Sequence, residues 1–255
     1  VLHNRTNNGA SQNEDRVEEY DLSSPFDISA SSISTVQATK IVKAQETAPR
    51  GFAFNNDGTK MFVVGTQENG SVKNRVHEYT ISTGFDLSST VNFVDSFSLN
   101  SQDTDPQGIA FSNDGKKMFV VGNQHDDVNE YTLTTGFDVS SASFVDEFEV
   151  DGQDNTPRGI AFSNDGKKMF VVGDQHSDIN EYTLSTAFDV SSASFVDGNG
   201  NGTGFSVASQ TTTVSGMAFN DDGTKMFVTE RGSAEVHSYD LDAPFDIGFT
   251  DPILS

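Results

Sequence analysis

GIAFSNDGKKMFVV, residues 108–121, returns letter for letter at residues 159–172. Related copies stand at residues 51–64, GFAFNNDGTKMFVV, and 216–229, GMAFNDDGTKMFVT. A second signature follows each: HEYTISTGFDLSS at 77–89, NEYTLTTGFDVSS at 129–141, NEYTLSTAFDVSS at 180–192 and HSYDLDAPFDIG at 237–248. A fifth copy of the second signature, EEYDLSSPFDIS at 18–29, has no first segment before it. A period of roughly 40–50 residues marks a ring or a solenoid of repeated units.

Each copy reads as four short strands. The apolar run after Gly51, Gly108, Gly159 or Gly216 is an inner strand, and Asn-Asp-Gly turns it into Met-Phe-Val-Val. Asn and Asp tolerate tight turns and Gly supplies positive φ, so this is a hairpin signal. Glu-Tyr lies in a third strand with period-two alternation. Phe-Asp-x-Ser-Ser follows, its Asp placed to accept a backbone hydrogen bond, and the run 142–150 typifies an outer strand. One four-stranded unit cannot bury both faces, so successive units must stack around an axis. The expectation is an all-β chain, a single β-propeller domain over residues 1–255 of four-stranded antiparallel blades. Its five blade repeats fall at about 1–48, 49–105, 106–156, 157–213 and 214–255, the first and last incomplete. Val1-Leu2 aligns with Val63-Val64, inside a second strand, and Ser255 falls where a fifth outer strand would begin. Either the sequence is a slice of a longer chain or a partner supplies strands, and an open edge would favour self-association.

The repeats resemble the broad YVTN, NHL and lactonase-like group of β-propellers, whose blades carry Gly-x-Ala-Phe, Asp-Gly-x-Lys and a hydrophobic run. Gly51–Phe54, Asp57–Lys60 and their later copies carry the likeness over nearly the whole chain. That resemblance implies the fold; the group holds hydrolases, binding modules and scaffolds, so it implies no single activity. The repeats are also similar to those of marine bacterial and phage surface proteins, which implies an extracellular, cell-surface or virion-surface setting.

Composition narrows the partners. With 38 acidic residues against 15 basic ones, a net charge of −23 opposes nucleic acid, whose phosphates need clustered Lys and Arg. No run reaches the roughly 18–20 apolar residues of a membrane span. There is no Cys, hence neither disulfide nor thiol nucleophile.

Residues common to every blade are expected to build the blade, including Glu19, Glu78, Glu130 and Glu181. Function is sought where copies differ, in loops of one rim. Two neighbouring insertions, 3–17 and 65–76, stand there; Gln67, Glu68 and Arg75 in the second would wall a polar pocket or form an irregular solvated loop. Arg50, Gln107, Arg158 and Ser215 precede the inner strands and would ring the mouth of the central channel, with Gln45, Gln102, Gln153 and Gln210 nearby. His125 and His176 occupy matching loops, one per blade, which suits a ligand contact better than a transition-metal site. In DGNGNG, residues 197–202, Asp197, Asn199 and Asn201 space oxygen ligands like the first half of a calcium loop. Position twelve is Ala208, without the closing Glu, so a flexible bulge is the other reading. No nucleophile elbow or phosphate loop is present, and nothing singles out a catalytic pair among the acids.

The function expected from these features is a non-catalytic extracellular recognition module that binds a glycan, polymer or protein through its rim. A structural surface-layer or virion component, and a lactonase-like or glycan-cleaving hydrolase, are the alternatives.

Overall fold

The computed structural model describes residues 1–3, 15–68, 71–197, 202–231 and 235–248. They form five antiparallel sheets. The first comprises β1 (Leu2–His3), β2 (Arg16–Leu22) and β3 (Ile33–Ile41); the second β4 (Pro49–Phe54), β5 (Lys60–Glu68), β6 (Ser71–Ile81) and β7 (Val91–Ser98). The third holds β8 (Pro106–Phe111), β9 (Lys117–Gly122), β10 (Asp127–Leu133) and β11 (Ala142–Glu149). The fourth has β12 (Pro157–Phe162), β13 (Lys168–Gly173), β14 (Asp178–Leu184), β15 (Ala193–Phe195) and β16 (Phe205–Ser206), the last two both pairing β14 across the 197–202 insertion. The fifth holds β17 (Val214–Phe219), β18 (Lys225–Glu230) and β19 (Val236–Asp240).

Each sheet runs as a meander, inner strand to outer strand. Both faces of the middle strands are covered: Met118, Phe119, Val120 and Val121 are each fully buried. Alternation here therefore sorts residues between two neighbouring sheets instead of between core and water. Phe119 packs on Phe162 with centroids 4.4 Å apart and on Phe188 at 6.4 Å, all reaching into the next sheet. The inner strands β4, β8, β12 and β17 stand side by side at the axis. Glycine makes this possible, since a Cβ on Gly51 would lie 2.6 Å from Gln107 O and one on Gly108 2.9 Å from Arg158 O.

The Phe of the Phe-Asp signature takes a left-handed backbone, φ +58° at Phe137. Its ring lies over Gly115, the turn glycine of the same sheet at φ +68°, where any side chain would collide with it. Bulky residues seldom accept positive φ, and sequence periodicity gave no sign of it. Asp138 then accepts Ser140 N at 3.1 Å, closing a short 3-10 turn over Val139–Ser141.

A polar clamp joins neighbouring sheets at the turn end. Lys117 Nζ lies 2.7 Å from Glu130 Oε1 and donates to Phe188 O at 2.6 Å, while Glu130 Oε2 accepts Val190 N at 3.0 Å. Lys60 and Glu78 repeat it toward Phe137 and Val139, and Glu19 accepts Leu87 N. The repeated Glu thus builds blade contacts. The Asn of each turn adds a ladder: Asn56 donates to Asn113 O, Asn113 to Asn164 O and Asn164 to Asp221 O.

The fifth sheet meets the first. Phe227 of β18 stacks on Phe26 at 6.3 Å and 30°, the counterpart of Phe62 on Phe137 at 6.3 Å and 27°. The contact that joins consecutive sheets thus recurs between the fifth and the first.

Candidate functional site

Second strands end, third strands begin and inner strands enter at the rim opposite the clamps. Every described arginine stands here: Arg16 opens β2, Arg50 and Arg158 enter β4 and β12, Arg75 lies on β6 opposite Gly65, and Arg231 follows β18. The clamp lysines Lys60, Lys117, Lys168 and Lys225 stand at the other end. The clamp positions thus carry lysine and the opposite rim carries the arginines, with Lys73 beside Arg75.

Two of the expected mouth residues come together. Arg158 Nη1 donates to Gln107 Oε1 at 2.8 Å, and Gln107 Nε2 donates to Asp105 Oδ1 at 2.8 Å. Arg158 Nε meets Asp174 Oδ2 at 3.0 Å, and Arg231 from the fifth sheet reaches the same oxygen. Arg50, the equivalent position one sheet before Gln107, is exposed and makes no hydrogen bond or ion pair among the described residues. Ser215 instead pairs with Thr229 at 2.9 Å. Sequence reasoning missed Asp105, Asp174 and Arg231. Asp105 sits on the connection into β8, Asp174 follows β13 and Arg231 follows β18, and only the fold supplies the direction in which each reaches.

The second insertion departs from the expectation of an irregular loop or pocket wall. β5 and β6 continue as a ladder, pairing Gln67 with Val72 and Glu68 with Ser71. Glu68 Oε2 is held by Lys73 at 3.3 Å and Arg75 at 3.4 Å, and Arg75 turns toward the outer strand to bond Ser96. Extra residues in register extend a hairpin, because every added pair satisfies its own backbone groups. The first insertion, including Arg5, lies outside the described residues. Gln45, Gln153 and Gln210 accept the hydroxyls of Tyr79, Tyr182 and Tyr239, and so anchor their own sheets.

His125 and His176 are exposed at the tips of matching turns, each beside a residue in left-handed backbone, Asp126 and Ser177. They do not meet each other in any described contact, and His125 Nδ1 lies 4.0 Å from Asp127 Oδ2. Asp197 is exposed and accepts Gly202 N at 3.1 Å; Asn199 and Asn201 lie outside the described residues. His237, Glu230 and Glu235 gather on the fifth sheet with His237 Nε2 at 3.6 Å and 3.9 Å from the two carboxylates. Among the described residues this is the trio of His and acidic groups close enough for one ion.

No protein-family model matches the chain, and no curated protein sequence matches it. Solved structures do match its shape. A Lactobacillus plantarum protein superposes with TM-score 0.52 at 13% identity, covering 89% of this chain and 62% of its own. A structure of the nidogen/laminin complex gives TM-score 0.51 at 12% identity, covering 82% and 68%. The periplasmic gluconolactonase of Pseudomonas aeruginosa gives TM-score 0.50 at 16% identity, covering 95% and 63%. The chain is a β-propeller. At these identities the likeness is one of fold, in keeping with the lactonase-like resemblance of the repeats. The propeller described here spans about three fifths of the length of the first and third of these proteins.

Proposed function

We propose that this propeller is an extracellular recognition module whose arginine-bearing rim binds an acidic polymer, such as a carboxylated or sulfated glycan. We read its five sheets as five blades of one ring, the first without an inner strand and the fifth without an outer strand among the described residues. One observation carries the functional reading: in a chain of net charge −23, Arg158 and Arg231 converge on Asp174 at the rim that also carries the unpaired Arg50. A guanidinium offers a planar fork of donors that matches carboxylate or sulfate oxygens. The acidic surface around it repels such polymers from everywhere but this mouth. Gln107 and Asp105 add donors and acceptors for hydroxyls.

The test is binding to immobilised carboxylated, sulfated and neutral polysaccharides. Acidic polymers are expected to bind selectively, with at least tenfold weaker binding in Arg50→Ala/Arg158→Ala at unchanged circular dichroism. Equal retention on neutral polymers, or none on any, would overturn the reading. A lactonase-like hydrolase on the same rim has fold likeness behind it; turnover of a sugar lactone, lost in Asp174→Asn, would move the assignment there. Concentration-dependent assembly in light scattering, without polymer binding, would favour a structural surface component.

A further inference from the structure

Beneath the rim, three sheets repeat one buried arrangement with different charges. A carboxylate from the interblade connection, Glu46, Asp103 or Asp154, uses one oxygen to cap its own turn: Glu46 Oε1 accepts Ala48 N, Asp103 Oδ1 accepts Asp105 N, and Asp154 Oδ1 accepts Thr156 N. The carboxylate lies against Gly65, Gly122 or Gly173, where a Cβ would collide with it. The last two glycines end their second strands, and Gly122 pairs Asp127 across the ladder. The other oxygen of each carboxylate is buried and accepts no hydrogen bond from the protein.

The sheets differ in what stands near that oxygen. In the second sheet, His77 Nε2 is 3.5 Å from Glu46 Oε2 and Arg75 occupies the position two residues before His77. In the third and fourth sheets those positions are Asn129 with Asp127 and Asn180 with Asp178. Asn129 and Asn180 are fully buried; each amide donates to its neighbouring Asp, at 2.7 Å and 3.4 Å, and leaves its Oδ1 unpartnered. Tyr131 Oη, beside the first pair, is also buried without a partner. Two carboxylates at 2% exposure or less thus share each site with unpartnered neutral oxygens and no buried cation. Burying two like charges without compensation is strongly unfavourable.

We propose that Asp103, Asp127 and Asn129, and equivalently Asp154, Asp178 and Asn180, form two buried sites for a hard divalent cation, with Ca²⁺ the best fit. The donors are all oxygen, the charge of two carboxylates matches one divalent ion, and water can complete a flexible shell of six to eight ligands. His125 and His176 overhang the sites at the solvent side, and their loops are where an ion would enter. Blade two is built differently: the His77 imidazole stands against Glu46 Oε2 where the others have an amide oxygen, and Arg75 replaces the second carboxylate, so a single carboxylate is buried there.

The experiment uses the full chain after exhaustive chelation, with Tb³⁺ luminescence excited through tyrosine and Ca²⁺ titration calorimetry. Two equivalents of Tb³⁺ displaced by Ca²⁺ are expected, with a Ca²⁺-dependent rise in Tm. Asp103→Asn should remove one equivalent, Asp103→Asn/Asp154→Asn both, and Asp197→Asn neither. Asp127→Arg/Asn129→His transplants the blade-two solution and should remove one equivalent while leaving the propeller folded without Ca²⁺. Absence of stoichiometric binding in the parent chain, or two equivalents retained by the double variant, would overturn the proposal and leave a shared proton or water between the carboxylates.

Discussion

Phe227 and Phe26, near the two ends of the described chain, stack at 6.3 Å in the geometry that joins neighbouring sheets elsewhere. Among the described residues no backbone ladder joins the first and fifth sheets, and the contact seen there is one of side-chain packing. Phe227 is only half-buried, whereas Phe119 at the equivalent place of the third sheet is fully buried. Phe227→Ala is expected to cost about 1–2 kcal/mol and Phe119→Ala about 3–5 kcal/mol. Urea unfolding followed by tyrosine fluorescence checks both values. Equal costs would mean that the seam is packed as tightly as the interior.

The clamp makes a different prediction. Glu130 is 2% exposed and holds both Lys117 and the backbone of Val190. Glu130→Ala leaves a buried N–H unmet and the lysine without its partner, a loss of about 2–3 kcal/mol. Lys117→Ala should cost less, because that side chain is 29% exposed and leaves groups that water can reach. A double-mutant cycle on Tm and urea midpoint measures the coupling. Polymer binding at the opposite rim should be unchanged in all three variants.

Gly115→Ala tests the turn. The residue sits at φ +68° under the Phe137 ring, so an added methyl meets both backbone strain and a steric clash. The expected loss is about 2 kcal/mol or more. Gly152→Ala, at a position with open space and no positive φ, should be nearly neutral. Thermal melts of the two variants side by side decide it.

Acid should weaken the turns. Hydrogen bonds from Thr59, from the backbone of Lys116, from Ser163 and from Thr224 hold Asp57, Asp114, Asp165 and Asp222 below the ordinary carboxylate range. A pKa lowered on folding gives stability that is present above the unfolded value and lost as pH falls through it toward the folded value. These four turns should therefore contribute to a decline in Tm below about pH 4. Melting curves across that range, with Asp114→Asn as the flattened comparison, provide the check.

The repeat, the strand count per unit and the hairpin turns were legible in the sequence because each is a local pattern: Asn-Asp-Gly dictates a turn wherever it stands, and apolar alternation dictates a strand. The place of Arg158 and Gln107 beside the inner strands was also legible, whereas the hydrogen bond between them was not. Arg75 was misplaced. Its hairpin keeps the ladder register, and that register sends the side chain toward Ser96. Asp105, Asp174 and Arg231 carried no local signal, because what matters about them is the residue of another sheet that they meet.

The sequence by itself determined that this chain folds as a ring of four-stranded antiparallel units with Phe-rich interfaces, because that follows from periodicity and turn chemistry repeated along one strand of text. Only the tertiary structure decided which carboxylates are buried in pairs, that Glu130 works with a lysine of its own sheet and a backbone of the next, and that Phe227 closes on Phe26. Those are contacts between residues far apart in the chain. Their energies depend on burial and on the charge of the neighbour, and neither is written in the local order of residues.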